Sequence, residues 1–268
     1  MQKRIALLYD FDDTLANGFM QQYGMMQDMG YQDIYEFFGA TDAVFGNNPD
    51  MDMCLNFMGG VLEMANQRNI KVTKDYLNSL GKGIVYYEGV LEWFDKINQI
   101  GAKYGYTIEH YVISSGLKEV IEGTKIYPYL KRVYSNNYVY NSEGVAYWPC
   151  QVVNYSTKIQ YIYRVRKNVL DGLGSLKEVN AKMAEEDVLP FKNIIYLGDS
   201  QTDIPSFKVV KNSGGLSICV YKPASDKAKS VAEQCLNEGR VNYSVPADYR
   251  EGSELYNTIK TYIEKIIN

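Results

Sequence analysis

The chain has 268 residues, of which 46% are hydrophobic and 22% are charged, an ordinary globular composition with enough apolar residues to form a core. Its formal net charge of −4 argues against a nucleic-acid partner, because phosphate backbones are bound through an excess of lysine and arginine. No apolar stretch approaches the length of a membrane span, and the first apolar run is too short for a signal peptide. The four cysteines lack the spacing of a metal finger or a redox motif, so we expect a cytoplasmic protein that contacts no membrane.

The first predicted element is a buried strand. Residues 4–10 form a continuous apolar run, and three aspartates, Asp10, Asp12 and Asp13, crowd its end. The stretch that follows, residues 17–86, is rich in Met, Phe, Tyr and Gln, and its apolar residues recur at helical spacing. We therefore predict a helical insertion after the first strand, in a chain whose length suits one large domain with such an insertion.

The remaining residues, 87–268, alternate between predicted helices and strands. One strand ends at Ser114, residues 131–153 read as a β-hairpin that turns at Asn-Ser-Glu-Gly, and Ser156 or Thr157 caps the next helix. A second buried run ends in an acid, and further strands and helices follow it. This alternation predicts an α/β fold, in which a parallel sheet carries helices on both faces.

Polar side chains follow three of the predicted strands. Asp10 ends the first strand and Ser114 another, while Asp199 follows a third and precedes Asp203 by four residues. Because ligands bind beyond the carboxyl ends of parallel strands, we expect these side chains to lie close together. Several carboxylates at one place repel one another unless a cation is present, and an all-oxygen ligand set favours Mg²⁺. The single histidine leaves no cluster for zinc.

Four short motifs carry a resemblance to a known family. "DFDDT" is similar to the D-x-D-x-T signature of the haloacid dehalogenase-like hydrolases, a large phosphatase superfamily with a Rossmann-like core. "YVISSG", "YSTKIQYI" and "GDSQTD" resemble the second, third and fourth motifs of that family, and all four occur in order between residues 5 and 205. The resemblance implies a Rossmann-like core over 1–16 and 87–268. It also implies a type-1 helical cap over 17–86 and a hairpin insertion like that of the phosphoserine phosphatase branch.

The resemblance implies a role for each matching residue. Asp10 is the implied nucleophile, which forms an aspartyl-phosphate, and Asp12 is the implied acid that protonates the leaving oxygen and then deprotonates water. Ser114 is expected to bind the phosphoryl oxygens, with Ser115 as the competing choice. Lys158 is expected to offset their charge.

The implied metal is Mg²⁺, and four aspartates are its expected ligands. Asp10 and Asp199 would bind it through their carboxylates, and Asp12 through its backbone carbonyl. Asp203 would serve as a ligand or support the ligands, and it is also a candidate N-cap of the next helix. Asp13 occupies the variable position of the signature, so we expect it to stabilise the loop.

The expected activity is hydrolysis of a small phosphomonoester, and protein partners stay open. Phosphoserine itself fits poorly, because no acid that could hold its amino group occurs after the first motif until Asp28. Phe19, Met20, Met25 and Met26 could form an apolar lining of the site or pack within the cap, and we favour packing. A phosphomutase or phosphotransferase uses the same residues and remains an alternative, as does a catalytically idle phosphate-binding regulatory protein.

Overall fold

A seven-stranded sheet forms the centre of the protein in the computed structural model, which describes residues 3–172 and 176–267. The strand order is β4-β3-β2-β1-β5-β6-β7, and all neighbouring strands run parallel except β4, which is antiparallel to β3. The predicted α/β fold is confirmed. The strands are β1 Arg4–Tyr9, β2 Thr107–Leu117, β3 Leu130–Tyr140, β4 Ala146–Gln151, β5 Ile194–Gly198, β6 Leu216–Tyr221 and β7 Tyr243–Pro246.

The predicted hairpin is formed by β3 and β4, and it is an extension of the sheet. The first part of β3 pairs in parallel with β2, and its last part, from Asn137 onward, pairs with β4. The turn between the two strands is closed by Asn141, whose side chain accepts hydrogen bonds from the backbone N–H groups of Glu143 and Val145. The hairpin therefore adds an antiparallel edge to an otherwise parallel sheet.

Helices separate most of the strands and follow the last one, and four of them lie within residues 17–86, where the sequence predicts a helical insertion. No helix in the described part of the chain is both long and apolar enough to cross a bilayer. The helices are α1 Met25–Asp28, α2 Ile34–Ala43, α3 Met53–Gln67, α4 Lys74–Gly81, α5 Val90–Lys103, α6 Lys118–Glu122, α7 Lys158–Lys167, α8 Lys177–Asn180, α9 Ile204–Asn212, α10 Asp226–Asn237 and α11 Glu254–Ile267.

The two faces of the sheet carry separate hydrophobic clusters. Ile5, Leu7 and Tyr9 of β1 belong to a cluster that includes α5 and α11, whereas Ala6 and Leu8 belong to one that includes α7, α9 and α10. Successive side chains of a strand point to opposite faces, and helices cover both faces here. This explains why β1 is buried at every position and carries no polar alternation after Arg4.

Side-chain caps fix the starts of the inserted helices. Asp33 starts α2, Asp52 starts α3 and Thr73 starts α4, each accepting a hydrogen bond from a backbone N–H of the first turn. Thr157 occupies the predicted N-cap position of α7, but its side chain makes no capping hydrogen bond to the helix. The side chain of Asn154 instead holds the turn before α7, where it accepts the backbone N–H groups of Ser156 and Thr157.

Several contacts join the inserted helices to the rest of the protein, and three of them involve different helices or strands. The backbones of α4 and α6 approach closely, since a Cβ added at Gly123 would lie 1.9 Å from the carbonyl oxygen of Asn78. The hydroxyl of Tyr138 in β3 donates a hydrogen bond to the Met58 carbonyl in α3 (3.0 Å). Asp52, the cap of α3, accepts a hydrogen bond from the amide of Asn154 (2.7 Å).

Candidate active site

The carboxyl ends of three adjacent strands, β2, β1 and β5, form the edge at which most predicted site residues meet. Asp10 directly follows β1, and its backbone N–H donates a hydrogen bond to the carbonyl of Leu197 in β5 (2.9 Å). A cavity of about 380 Å³ opens at this edge. Four of the six predicted site residues line it: Asp10, Asp12, Ser114 and Asp199.

Lys158 begins α7 and joins two carboxylates of the site. Its Nζ lies 2.7 Å from Asp10 Oδ2 and 2.7 Å from Asp203 Oδ1, and the side chain is completely buried. Burial alone would lower the pKa of Lys158, but Asp10 and Asp203 outweigh it and raise that pKa well above its ordinary value. Lys158 is therefore a fixed positive charge beside Asp10.

Both carboxylate oxygens of Asp203 are engaged in hydrogen bonds. Oδ1 accepts from Lys158 and from the hydroxyl of Tyr196 (2.8 Å). Oδ2 accepts from the backbone N–H groups of Asp199 (3.3 Å) and Ser200 (3.5 Å). Its side chain makes no cap to α9, which begins at the next residue. Asp203 therefore holds both Lys158 and the loop that carries Asp199.

Three carboxylates are close enough to share one cation. Asp10, Asp199 and Asp203 each offer an oxygen, and these atoms lie within 4.8 Å of one another. Burial and then the charge of Asp203 raise the pKa of Asp199 well above its usual range. Burial, opposed by the Lys158 ammonium, raises the pKa of Asp10 to about 6. A divalent ion would remove this repulsion, and the all-oxygen donor set fits Mg²⁺.

Asp12 and Asp13 differ in their surroundings. Asp12 Oδ1 accepts a hydrogen bond from the backbone N–H of Met20 (2.8 Å), and burial followed by the charge of Asp10 raises the pKa of Asp12 well above its usual range. Asp13 has a φ of 50°, in the left-handed region, and accepts a hydrogen bond from the hydroxyl of Tyr87 (3.2 Å). Asp12 therefore retains a proton more readily than an ordinary carboxyl group, and Asp13 tightens the loop.

Ser114 and Ser115 both line the cavity. The Oγ of Ser114 accepts a hydrogen bond from the backbone N–H of Gly116 (3.1 Å), which leaves its hydroxyl proton available. The carbonyl of Ser115 accepts a hydrogen bond from the amide of Asn136 (2.6 Å), which fixes the backbone of this turn. Both hydroxyls remain candidates for the phosphate, and our preference for Ser114 stays a prediction.

The inserted helices supply a cavity wall that sequence reasoning missed. Helical periodicity indicates which residues share a face, but not which neighbouring element that face meets. Met20, Met25 and Met26 are buried in packing as expected, but Phe19, assigned to packing with them, lines the cavity. Helices α2 and α3 contribute six further side chains to the wall: Phe38, Thr41, Asp42, Met53, Cys54 and Phe57.

Known proteins share this architecture. No protein-family model matches the chain. An uncharacterized protein of Borreliella burgdorferi is 28% identical over 294 aligned residues, which cover 98% of this chain and 96% of that protein. A HAD-family hydrolase of Salmonella enterica serovar Typhi superposes with a TM-score of 0.54 and 16% identity, over 91% of this chain and 67% of the other.

A phosphoserine phosphatase, solved as an analogue of its phospho-aspartyl intermediate, also superposes with a TM-score of 0.54. It is 15% identical, and the match covers 97% of this chain and 99% of that one. At such identities a structural likeness concerns the fold. The chain has the fold of the haloacid dehalogenase-like hydrolases, in the form found in phosphoserine phosphatases.

Proposed function

We propose that this protein is a magnesium-dependent phosphatase, which hydrolyses a small phosphomonoester through an aspartyl-phosphate intermediate. The observation that carries the proposal is the pairing of Asp10 with the buried ammonium of Lys158, 2.7 Å away, in a cavity that also contains Asp12. A carboxylate whose only role was to end a strand would not require a buried lysine beside it. Burying a lysine is costly unless a partner neutralises its charge, so this pair supports a functional role for Asp10.

The two aspartates of the first motif divide the chemistry between them. Lys158 engages Oδ2 of Asp10, and Oδ1 accepts only the backbone N–H of Phe11 in the described residues, so Oδ1 is the atom we assign to attack on phosphorus. The raised pKa of Asp12 suits a group that protonates the leaving alcohol. The resulting carboxylate then accepts a proton from the water that hydrolyses the aspartyl-phosphate.

The remaining polar groups would bind the phosphoryl oxygens and the metal. Ser114 would donate its hydroxyl proton to the phosphoryl group, whose negative charge Lys158 would offset. Asp10, Asp199 and the backbone carbonyl of Asp12 would hold Mg²⁺, with Asp203 as a further ligand or as support for them. The bound ion would supply electrostatic stabilisation of the transferring phosphoryl group.

We propose that residues 17–86 act as the cap of this active site and that 1–16 and 87–268 form the core. The wall supplied by α2 and α3 supports this division, because a wall over the site can exclude water during transfer.

A cytoplasmic location remains our proposal, and the four free thiols agree with it. The idle-protein alternative is not favoured, since the four carboxylates and Lys158 are all present at one site.

The decisive experiment is a phosphatase assay over a panel of metabolite phosphates, with Mg²⁺ and with chelator. We expect activity that requires the metal and that falls by about 10³-fold or more in Asp10→Asn. Asp187→Asn, at an exposed aspartate outside the cavity, is the matched control and should retain activity. Wild-type turnover by Asp10→Asn, or no hydrolysis of any phosphomonoester, would contradict the proposal.

A further inference from the structure

We infer that the preferred substrate is the phosphomonoester of an apolar alcohol that carries no carboxylate and no second phosphate, an inference that rests on the proposed phosphatase activity. The cavity wall beyond the phosphate-binding edge determines what the leaving alcohol can be. Its charges and its aromatic side chains point to the same class of alcohol.

The charge of the wall is unsuited to a second anion. Of the described residues that line the cavity, none is lysine or arginine, and Asp42 adds a carboxylate on the side formed by α2. Lys158 is completely buried and already contacts both Asp10 and Asp203. A carboxylate or phosphate on the leaving alcohol would lose water without gaining a cationic partner, which is unfavourable in a partly enclosed site.

Three phenylalanines give the wall its apolar character. The ring centroids of Phe19 and Phe38 are 5.4 Å apart, and those of Phe38 and Phe57 are 6.0 Å apart, so the rings form one continuous cluster. Each ring is only partly buried and lines the cavity. An apolar alcohol would cover these rings and gain the free energy of removing them from water.

Phosphoserine and the bisphosphate of a phosphomutase, the alternative reaction, both fit this wall poorly. Phosphoserine carries a carboxylate on its leaving alcohol, and a sugar bisphosphate, which a phosphomutase handles, carries a second phosphate. Within this cavity neither second anion has a lysine or arginine partner among the described lining residues. The wall therefore favours hydrolysis of a monoester over a mutase reaction.

A neighbouring cavity of about 360 Å³ offers the competing possibility. It shares Phe19, Asp199 and Ser200 with the first cavity, and Lys222 and Lys227 line it. A substrate long enough to extend into it could place an anion beside these lysines. Lys222→Ala therefore belongs in the test, because it removes one of these two lysines and leaves the wall of the first cavity unchanged.

The test compares two monoesters of primary alcohols, 2-phenylethyl phosphate and phosphoserine, so that the leaving groups differ mainly in charge and apolar area. We expect kcat/KM to be at least about tenfold higher for 2-phenylethyl phosphate. Phe57→Leu should lower kcat/KM for this ester while phosphoserine changes little. Met53→Arg places a cation at an exposed position of the wall and should raise kcat/KM for phosphoserine about tenfold.

The outcomes separate the two proposals. Equal or better hydrolysis of phosphoserine by the wild type would overturn the inference while leaving the phosphatase activity intact. A preference for phosphoserine that is lost in Lys222→Ala would assign the anion to the neighbouring cavity and overturn it as well. If p-nitrophenyl phosphate, a reactive general substrate, is not hydrolysed either, the proposed function itself fails.

Discussion

Lys158 neutralises two carboxylates that share a buried position, and this has a cost when the lysine is removed. We predict that Lys158→Met lowers the free energy of unfolding by about 3–5 kcal/mol in chelator, because Asp10 and Asp203 lose their common partner. Urea denaturation measures the change. The double variant Lys158→Met/Asp203→Asn should recover part of the loss, since it removes one of the unpaired charges. A loss below about 1 kcal/mol in the single variant would show that the pair contributes little.

His110 makes the stability of the protein sensitive to mild acid. Its Nε2 lies 3.0 Å from Asn98 Oδ1 and its Nδ1 lies 2.9 Å from the hydroxyl of Tyr9, so we assign a neutral ring protonated at Nε2. Burial lowers the pKa of His110 from 6.5 to about 3. The unfolded chain therefore takes up this proton first, and stability falls as the pH drops from about 6.5 towards 3.

We expect this group to lower the free energy of unfolding by up to about 1.4 kcal/mol per pH unit within that interval. The comparison is wild type against His110→Gln, measured by urea denaturation at several pH values, in which only the wild type carries this contribution. His110 is the single histidine, so its proton NMR signal is unambiguous. Titration of that signal near pH 6.5 in the folded protein would contradict the prediction.

The side chains of the candidate site divide into those that a sequence can locate and those that it cannot. Asp10 and Asp199 directly follow β1 and β5, whereas the strand predicted to end at Ser114 runs on to Leu117, so that Ser114 lies inside β2 near its carboxyl end. Parallel strands deliver their carboxyl ends to one edge, so local pattern and topology were enough to bring the three residues together. Phe38 and Phe57 lie on helices whose apolar faces look like any packing face. Only the docking of α2 and α3 over the strand ends shows that these rings line a cavity.

Helix α4 is held against α6 by two glycines. A Cβ at Gly81 would lie 2.1 Å from the carbonyl oxygen of Val120, and one at Gly123 would lie 1.9 Å from that of Asn78. Both obstructions are backbone atoms, which cannot rotate away. We predict that Gly123→Ala lowers the free energy of unfolding by about 1–3 kcal/mol, because the two helices must separate.

Gly39 in α2 is the matched control, since a Cβ there would have no neighbour within 4 Å. Gly39→Ala should raise the free energy of unfolding by about 0.5–1 kcal/mol, because alanine favours the helix. Both variants are measured by thermal or urea denaturation. A rise in both variants would show that glycine flexibility, and not the contact between α4 and α6, explains the result.

The elements themselves were largely predictable, and the exceptions have local causes. A continuous apolar run predicts strand β1, and helical periodicity predicts helix α5. The turn residues predict the hairpin. Thr157 stands at the predicted N-cap of α7 without a side-chain cap, and the side chain of Asn154, two to three residues earlier, accepts the backbone N–H groups of Ser156 and Thr157 instead. A hydroxyl directly before a helix is a common cap, and the sequence does not reveal that an earlier amide has replaced it.

Magnesium should stabilise the molecule as a whole against unfolding, because the carboxylates with raised pKa values are brought together only in the folded state. Binding to the folded protein adds about 1.4 kcal/mol to the free energy of unfolding when Mg²⁺ is at ten times its dissociation constant. We expect a rise in Tm on adding Mg²⁺ that is absent with KCl at equal ionic strength. Asp199→Asn should remove most of this rise. An identical rise in that variant would place the ion elsewhere.

Asp52 serves two parts of the molecule with one carboxylate. Oδ1 accepts the backbone N–H groups that begin α3, and Oδ2 accepts the side-chain amide of Asn154, which holds the turn before Lys158. A movement that lifts α3 from the cavity must break the bond to Asn154. The access to the cavity and the position of the charge beside Asp10 are thus mechanically linked, so that the proposed nucleophile is best supported when the site is closed to bulk water.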